Sequence, residues 1–298
     1  MQTDQKLREK GPPITYDNTI MAQANECKRK LYWFLRGYDY QDTPAYFAFG
    51  RVWEVVLDTW SGGKVTYEEA IEAGRKEWES SGVQAGKNYD TFENLEALFK
   101  LYTETYPSEP FKIIGAEKGW EWPIPGTNWF LGGSLDTFIE WPGYGIMVKE
   151  NKTLGIYLTD NYISQWTYSD QVAGYIWYLT QLKGAEVYGC LMDLAYKKIL
   201  KGTGTTPQFY RSLETRSEQQ LNEFIERSCE VIEDIHHAWD RWTWPKTKNP
   251  INCVGGIGKS SCLFRGVCLS EAHFTKIDPL MYQGIVAREG EWEPWTRK

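Results

Sequence analysis

The chain has 298 residues, 42% of them hydrophobic, and a formal net charge of −7. That length can bury a large core, as one elaborated domain or two small ones. The acidity argues against broad, non-specific coating of duplex nucleic acid, which depends on neutralising phosphates with lysine and arginine. It leaves room for a local basic track, for which Lys28, Arg29, Lys30 and Arg36 are the candidates; a solvated helix face is the plainer reading of the same residues. With 15 Trp, 19 Tyr and 12 Phe the chain is aromatic-rich. Most of these rings are expected in the core, and some are available to stack on bases.

The segment Met1-Gln2-Thr3-Asp4-Gln5-Lys6 contains no apolar h-region, and no run of about eighteen apolar residues follows. The expectation is a cytoplasmic protein without a membrane span, whose cysteines stay reduced. Residues 1–20 read as loosely ordered, with Lys10-Gly11-Pro12-Pro13 as a breaker. Helical patterns cover 22–35, 45–60, 67–79 and 89–106, and Pro107 ends the last. Strand-like runs follow over 111–123, 128–140 and 146–153. Then come a helix over 169–182, a strand over 184–196 and a long helix over 217–242, before Pro245 and a cysteine segment. Strands and helices in this order predict an α/β core. The chain divides into a helical N-terminal region over residues 1–110, a core over 111–205, and a C-terminal helix with the cysteine segment over 206–298, read as one integrated domain.

The densest chemistry sits in Gly132-Gly133-Ser134-Leu135-Asp136 and Val148-Lys149-Glu150-Asn151-Lys152-Thr153. Between these runs, Trp141-Pro142-Gly143-Tyr144-Gly145 has the composition of a turn. A hairpin symmetric about Gly143 sets Asp136 opposite Glu150, with Cβ atoms about 4.5–5.5 Å apart. Glu150 and Lys152 then share a face. Two carboxylates this close repel if buried, and a divalent cation such as Mg²⁺ or Mn²⁺ removes the conflict. The ion can lower the pKa of a bound water and polarise a phosphate, while the lysine orients that water or stabilises charge. A surface hairpin with a cross-strand ion pair is the plainer alternative. Gln171 and Tyr175 fall on one face of the 169–182 helix as neutral hydrogen-bonding groups suited to a phosphate or a lysine, or as the edge of a packed helix.

Two other chemistries are poorly supported. The three histidines, His236, His237 and His273, form neither a hydrolytic triad nor a zinc motif. Gly258-Lys259-Ser260 is not a nucleotide loop, because Cys253 stands where the first glycine of that motif belongs.

At these residues the chain resembles the PD-(D/E)XK nuclease superfamily, in particular its RecB-like branch, which includes CRISPR-associated RecB-like exonucleases and related phage proteins. Five blocks occur in the family's order: Cys27-Lys28-Arg29-Lys30-Leu31-Tyr32, Phe49-Gly50-Arg51-Val52-Trp53-Glu54, Asp136, Glu150-Asn151-Lys152, and Gln171-Val172-Ala173-Gly174-Tyr175. Glu54 stands where many members have histidine. The resemblance implies a restriction-endonuclease-like core, a mixed sheet flanked by helices, with a helical N-terminal region and a C-terminal cysteine-cluster segment. It implies a metal-dependent deoxyribonuclease, an exonuclease on DNA ends or single strands, with DNA as partner. Asp136, Glu150 and Glu54 would hold Mg²⁺ or Mn²⁺, and Lys152, Gln171 and Tyr175 would complete the catalytic set. A restriction-like or structure-specific endonuclease, or a non-catalytic DNA-binding subunit, are the alternative uses of the same core.

Of six cysteines, Cys253, Cys262 and Cys268 cluster late in the chain, while Cys190 and Cys229 read as core residues. In the resemblance, one early cysteine joins three late ones around a 4Fe–4S cluster, and Cys27 fits the early position. The first late gap is longer than is usual in the family, through a glycine-rich insert. Zinc on the same four thiolates is the rival reading, and unliganded thiols a third.

Overall fold

The computed structural model describes residues 4–41, 44–61, 65–83, 89–184, 187–200, 207–256, 261–270, 273–293 and 295, with 61 and 116–118 described by backbone alone. The core of the glycine-rich insert, 257–260, with the Gly258-Lys259-Ser260 motif, lies outside the described residues. The strands are β1 (Thr15–Tyr16), β2 (Tyr38–Tyr40), β3 (Lys112–Pro123), β4 (Phe130–Trp141), β5 (Gly145–Leu154), β6 (Val187–Tyr196), β7 (Phe209–Glu214) and β8 (Ile285–Ala287). The chain folds into two compact units. A sheet unit comprises Thr43–Lys118 and Leu135–Leu221, and a cysteine unit comprises Met1–Asp42, Gly119–Ser134 and Asn222–Lys298.

The sheet unit is a mixed α/β structure. β4 pairs with β5 antiparallel, β5 with β6 parallel and β6 with β7 antiparallel, while β3 lies along β4. The parallel step from β5 to β6 needs a crossover, and the helix Asp170–Lys183 supplies it. Ser169 caps that helix at Val172, and Gly184, at φ 67°, ends it. Helices Ala45–Ser61, Tyr67–Ser80 and Phe92–Thr105 form a second layer. Phe49, Val52, Trp53 and Val56 recur at the spacing of one helix face, and all are buried with Leu95, Leu98, Phe99, Ala195 and Phe209. Gly74 permits the close contact of the first two helices, since a Cβ there would lie 2.3 Å from Val56 Cγ2. Strand β7 follows residues 201–206, outside the described set, and the sequence pattern did not announce it.

In the cysteine unit, β1 lies parallel to the start of β4, and β2 pairs antiparallel with β8. The helix expected over 22–35 is two helices, Asn18–Glu26 and Lys28–Leu35. They break at Cys27, whose extended backbone closes one helix and opens the next. The N-terminal segment is more ordered than its composition suggests. Asp4–Lys10 is helical because Leu7 is buried and Asp4 pairs with Arg36 at 3.1 Å. Much of the aromatic surplus is core here. Tyr32 packs on Phe274 at 5.0 Å and on Trp244 at 5.6 Å, and Trp239 packs on Trp244 at 5.7 Å between ring centroids. Among the described residues, no helix is long and apolar enough to cross a membrane.

Candidate active site

The hairpin of β4 and β5 is centred on Gly143. Trp141 pairs with Gly145, Phe138 with Val148 and Thr137 with Lys149. Tyr144 N–H donates to Trp141 O at 2.9 Å, and Gly143 takes φ 87°. Pro142 followed by a glycine at positive φ is the pairing that a type II turn requires. The register carries Asp136 and Glu150 to the next position on each strand beyond Thr137 and Lys149. Both are buried, with 4% and 2% of their surface exposed.

Burial and the adjacent Asp136 charge push the Glu150 carboxyl up to about 8. Asp136 lies within hydrogen-bonding reach of it, so one of the two acids must hold a proton, or a cation must take its place. Lys152 forms an ion pair with Glu150 and keeps 31% of its side chain exposed. Burial would lower the Lys152 pKa, but Glu150 and Asp136 outweigh it and raise it, so the ammonium stays charged. Gln171 Nε2 donates to Glu150 Oε1 at 3.3 Å and to the Tyr175 hydroxyl at 2.6 Å. The glutamine thus touches a carboxylate of the pair, and Tyr175 stands behind it. Burial, with the charges of Glu150 and Asp136, raises the Tyr175 phenol well above its ordinary value, so it is a neutral partner.

Glu54 lies on the helix Ala45–Ser61, near enough for its charge to raise the Lys152 pKa. Four residues earlier, the Cα of Gly50 faces Thr153 Oγ1, which lies 3.6 Å from where its Cβ would be; four later, Asp58 accepts from Thr137 Oγ1 at 2.9 Å. One helix face therefore runs along the hairpin beside the site. Among the described residues, no three His, Cys, Asp or Glu side chains converge closely enough to hold a metal ion as they stand. The donor set still suits a hard divalent cation: two buried carboxylates in contact, an amide behind one of them and a partly exposed lysine at the rim.

A second polar network went unread in the sequence. On β5, Lys149 and Asn151 alternate with Glu150 and Lys152. Lys149 is 2% exposed, pairs with Asp193 at 3.1 Å and donates to Asn151. Asp193 also accepts from the Tyr102 hydroxyl at 2.6 Å and pairs with Arg211 at 3.2 Å, and Arg211 pairs with Glu109 at 2.7 Å. Burial alone would raise the Asp193 pKa; Lys149 and Arg211 outweigh it and hold the carboxyl below its ordinary value. The segment Lys149-Glu150-Asn151-Lys152 is therefore polar on both faces, and each face has its own partners. Alternation was the available signal, but Tyr102 and Arg211 come from distant elements.

In the cysteine unit, Cys27 Sγ accepts from Thr247 N–H at 3.3 Å, and Cys262 N–H donates to Cys253 O at 3.0 Å. Asn252 Nδ2 donates to Glu26 O at 2.9 Å, tying the late segment to the break that presents Cys27. The thiols feel one another. Burial raises the Cys262 pKa, and the charges of Cys27 and Cys253 add to this; burial pushes Cys268 up to about 11, with Cys262 and Cys27 adding. Arg29 and Lys246 counteract this at Cys268, and Lys30 at Cys262. Among the described residues no three of these thiols converge closely enough to hold a metal ion as they stand; thiols with Arg29, Lys30 and Lys246 nearby are still the kind of donor that a 4Fe–4S cluster or zinc takes. Cys190 is buried in β6, and Cys229 is half-buried in the helix Glu218–Asp240. Arg29 serves the fold: its Nε donates to Trp244 O at 2.6 Å, and its guanidinium lies 4.0 Å from the Phe274 ring centre.

No protein-family profile matches the chain. No curated protein matches it in sequence. Among solved structures, it is similar to a provisionally assigned exonuclease from Eubacterium rectale, with 12% identity and a TM-score of 0.46, covering 80% of this chain and 88% of that one. It is also similar to SSO0001, with 12% identity and a TM-score of 0.29, covering 72% of this chain and 86% of that one.

Proposed function

We propose that the chain is a metal-dependent deoxyribonuclease of the RecB-like type, an exonuclease acting on DNA ends or single strands. The observation that carries the reading is the buried contact of Asp136 with Glu150 beside Lys152 and Gln171. A divalent ion bound there would polarise the scissile phosphate and make its bound water a better nucleophile. Asp136 and Glu150 would bind it, and Glu54 would add negative charge nearby. Lys152, charged and partly exposed, would orient the attacking water or neutralise a phosphate oxygen. Gln171, held by Tyr175, would fix the Glu150 carboxylate. Cys27, Cys253, Cys262 and Cys268 would hold a 4Fe–4S cluster with a structural task, joining the N-terminal helices to the late segment.

The test is cleavage of end-labelled single- and double-stranded DNA, and of closed circular DNA, with Mg²⁺, Mn²⁺ or EDTA. The proposal expects ion-dependent release of nucleotides from linear ends and an intact circle. Cleavage of the circle would redirect it to the endonuclease alternative. No cleavage under any condition, by folded protein with its metals restored, would overturn it. Within the same assay, Glu54→Gln should raise the Mg²⁺ concentration for half-maximal activity, and an unchanged titration would remove Glu54 from the site.

A further inference from the structure

The proposed hydrolysis makes no use of a cavity of about 470 Å³ in the cysteine unit. The segment after β8 builds it by folding back over the N-terminal residues. Arg288 N–H donates to Gly37 O at 2.6 Å, and Trp292 Nε1 donates to Asp17 Oδ2 at 3.1 Å. The Trp292 ring meets Phe34 edge-on at 4.9 Å, and Lys10 forms an ion pair with Glu291. These contacts bring Trp239, Trp292 and Trp295 to the cavity wall together with Arg288.

Arg288 is the unusual member. It is 6% exposed, and only its Nη2 finds an acceptor, Phe34 O at 3.2 Å. Its Nε and Nη1 are buried without a hydrogen-bond partner. Among the described residues, no carboxylate lies within ion-pair distance of it; Asp39 is the acid whose charge it feels. Arg36, which also lines the cavity, differs: it pairs with Asp4 at 3.1 Å and donates to the Tyr32 hydroxyl at 3.1 Å. A buried guanidinium with idle donors is costly, and its planar fork matches a carboxylate or phosphate. The guanidinium meanwhile rests 4.5 Å from the Phe34 ring centre and 5.5 Å from that of Trp292, weaker partners than an anion. The volume falls within the roughly 300–1,000 Å³ of small-molecule sites, and such sites pair apolar walls with a few polar anchors.

We propose that this cavity binds a small planar organic anion, its acidic group held by Arg288 and its flat body lying against Trp292 and Trp295. The inference does not depend on the hydrolytic reading, since the cavity shares no residue with the carboxylate hairpin.

Calorimetry in EDTA tests it with thymidine 5′-monophosphate and indole-3-carboxylate as planar anions, and with thymidine and inorganic phosphate as their separated halves. At least one planar anion should bind, with either half alone weaker by about tenfold or more. Trp295 is 40% exposed, so Trp295→Ala should spare the fold and weaken the planar anion by about tenfold. Arg288→Met should weaken it at least as much; if that variant does not fold, Trp295→Ala decides. Failure of both planar anions, equal binding of phosphate alone, or unchanged binding in Trp295→Ala would overturn the proposal.

Discussion

Asp136 and Glu150 meet through a single hairpin, whereas Cys27 comes near the late cysteine segment only because the two ends of the chain pack together. In the first case a turn of three residues and the register it sets bring the acids into contact. In the second, an extended residue between two helices, the hydrogen bond from the Asn252 side-chain amide to Glu26 O and a core of tilted and edge-on aromatic rings do the work. The hairpin buries a charge conflict between two acids. The cysteine segment gathers thiols whose cations partly offset the cost of ionising them. A locally built site should tolerate loss of its ligand, because the strands remain paired. A site built from distant segments should lose stability with its ligand, since the ligand closes a long loop.

The largest expected break in that comparison is catalytic. Asp136→Ala, Glu150→Ala and Lys152→Ala should each lower DNA cleavage by at least about 10²–10³-fold. Their melting temperatures should stay near that of the parent, measured on the same preparations. Full activity in any one of them removes that residue from the site. For the cysteine segment the expectation is reversed. Protein purified without oxygen should be brown, with iron and sulfide in near-equal amounts; Cys27→Ala should bleach it and lower its stability, while Cys190→Ala should leave the colour intact. Colourless protein with stoichiometric zinc would keep the four-sulfur site and replace the cluster; colour that survives Cys27→Ala would break the link between the chain ends.

The third effect concerns the network behind β5. Asp193→Asn leaves buried Lys149 and Arg211 without their shared carboxylate and should destabilise the sheet unit by about 3–5 kcal/mol in denaturant titrations. A loss below about 1 kcal/mol would mean that the network contributes little beyond its packing. The smallest is pH-dependent. Burial pushes the Asp17 carboxyl up from 3.8 to about 6, although Ile20 N–H and Trp292 Nε1 both donate to it. Below pH 3.8 the folded and unfolded chains both hold the proton. As pH rises from there the unfolded chain ionises first, so stability falls until about pH 6 and the penalty is then constant, at most about 3 kcal/mol. Asp17→Asn keeps the cap on the helix Asn18–Glu26 but gives up the acceptor of Trp292 Nε1, so its effect on stability should be more favourable at about pH 7 than at about pH 3. Equal effects at both pH values would contradict the buried-acid account.

The sequence made the hairpin legible because its information is local: Pro142-Gly143 fixes the turn, and the turn fixes which residues face each other. The stripe of Phe49, Val52, Trp53 and Val56 was legible for the same reason. The break at Cys27 was not, since Lys28 to Leu35 continues a helical pattern and only the contacts of the late segment favour an extended residue there. The order of 4–10 also escaped, because it depends on Arg36. Strand β7 and its Arg211 were missed for want of a local signal strong enough to separate them from a loop, and with them the partners of Lys149. The idle donors of Arg288 were invisible for a further reason: only the folded tail shows which of its neighbours are acids.

Calorimetric titration with Mn²⁺ of the parent, Asp136→Asn, Glu150→Gln and Lys152→Ala tests the central claim most directly. With Glu150 titrating at about 8, binding should displace a proton, so Mn²⁺ affinity should rise with pH below that value and level off above it. The account predicts one ion bound by the parent and by Lys152→Ala, and lost from both carboxylate variants. Equal Mn²⁺ affinity in the parent, Asp136→Asn and Glu150→Gln would contradict it.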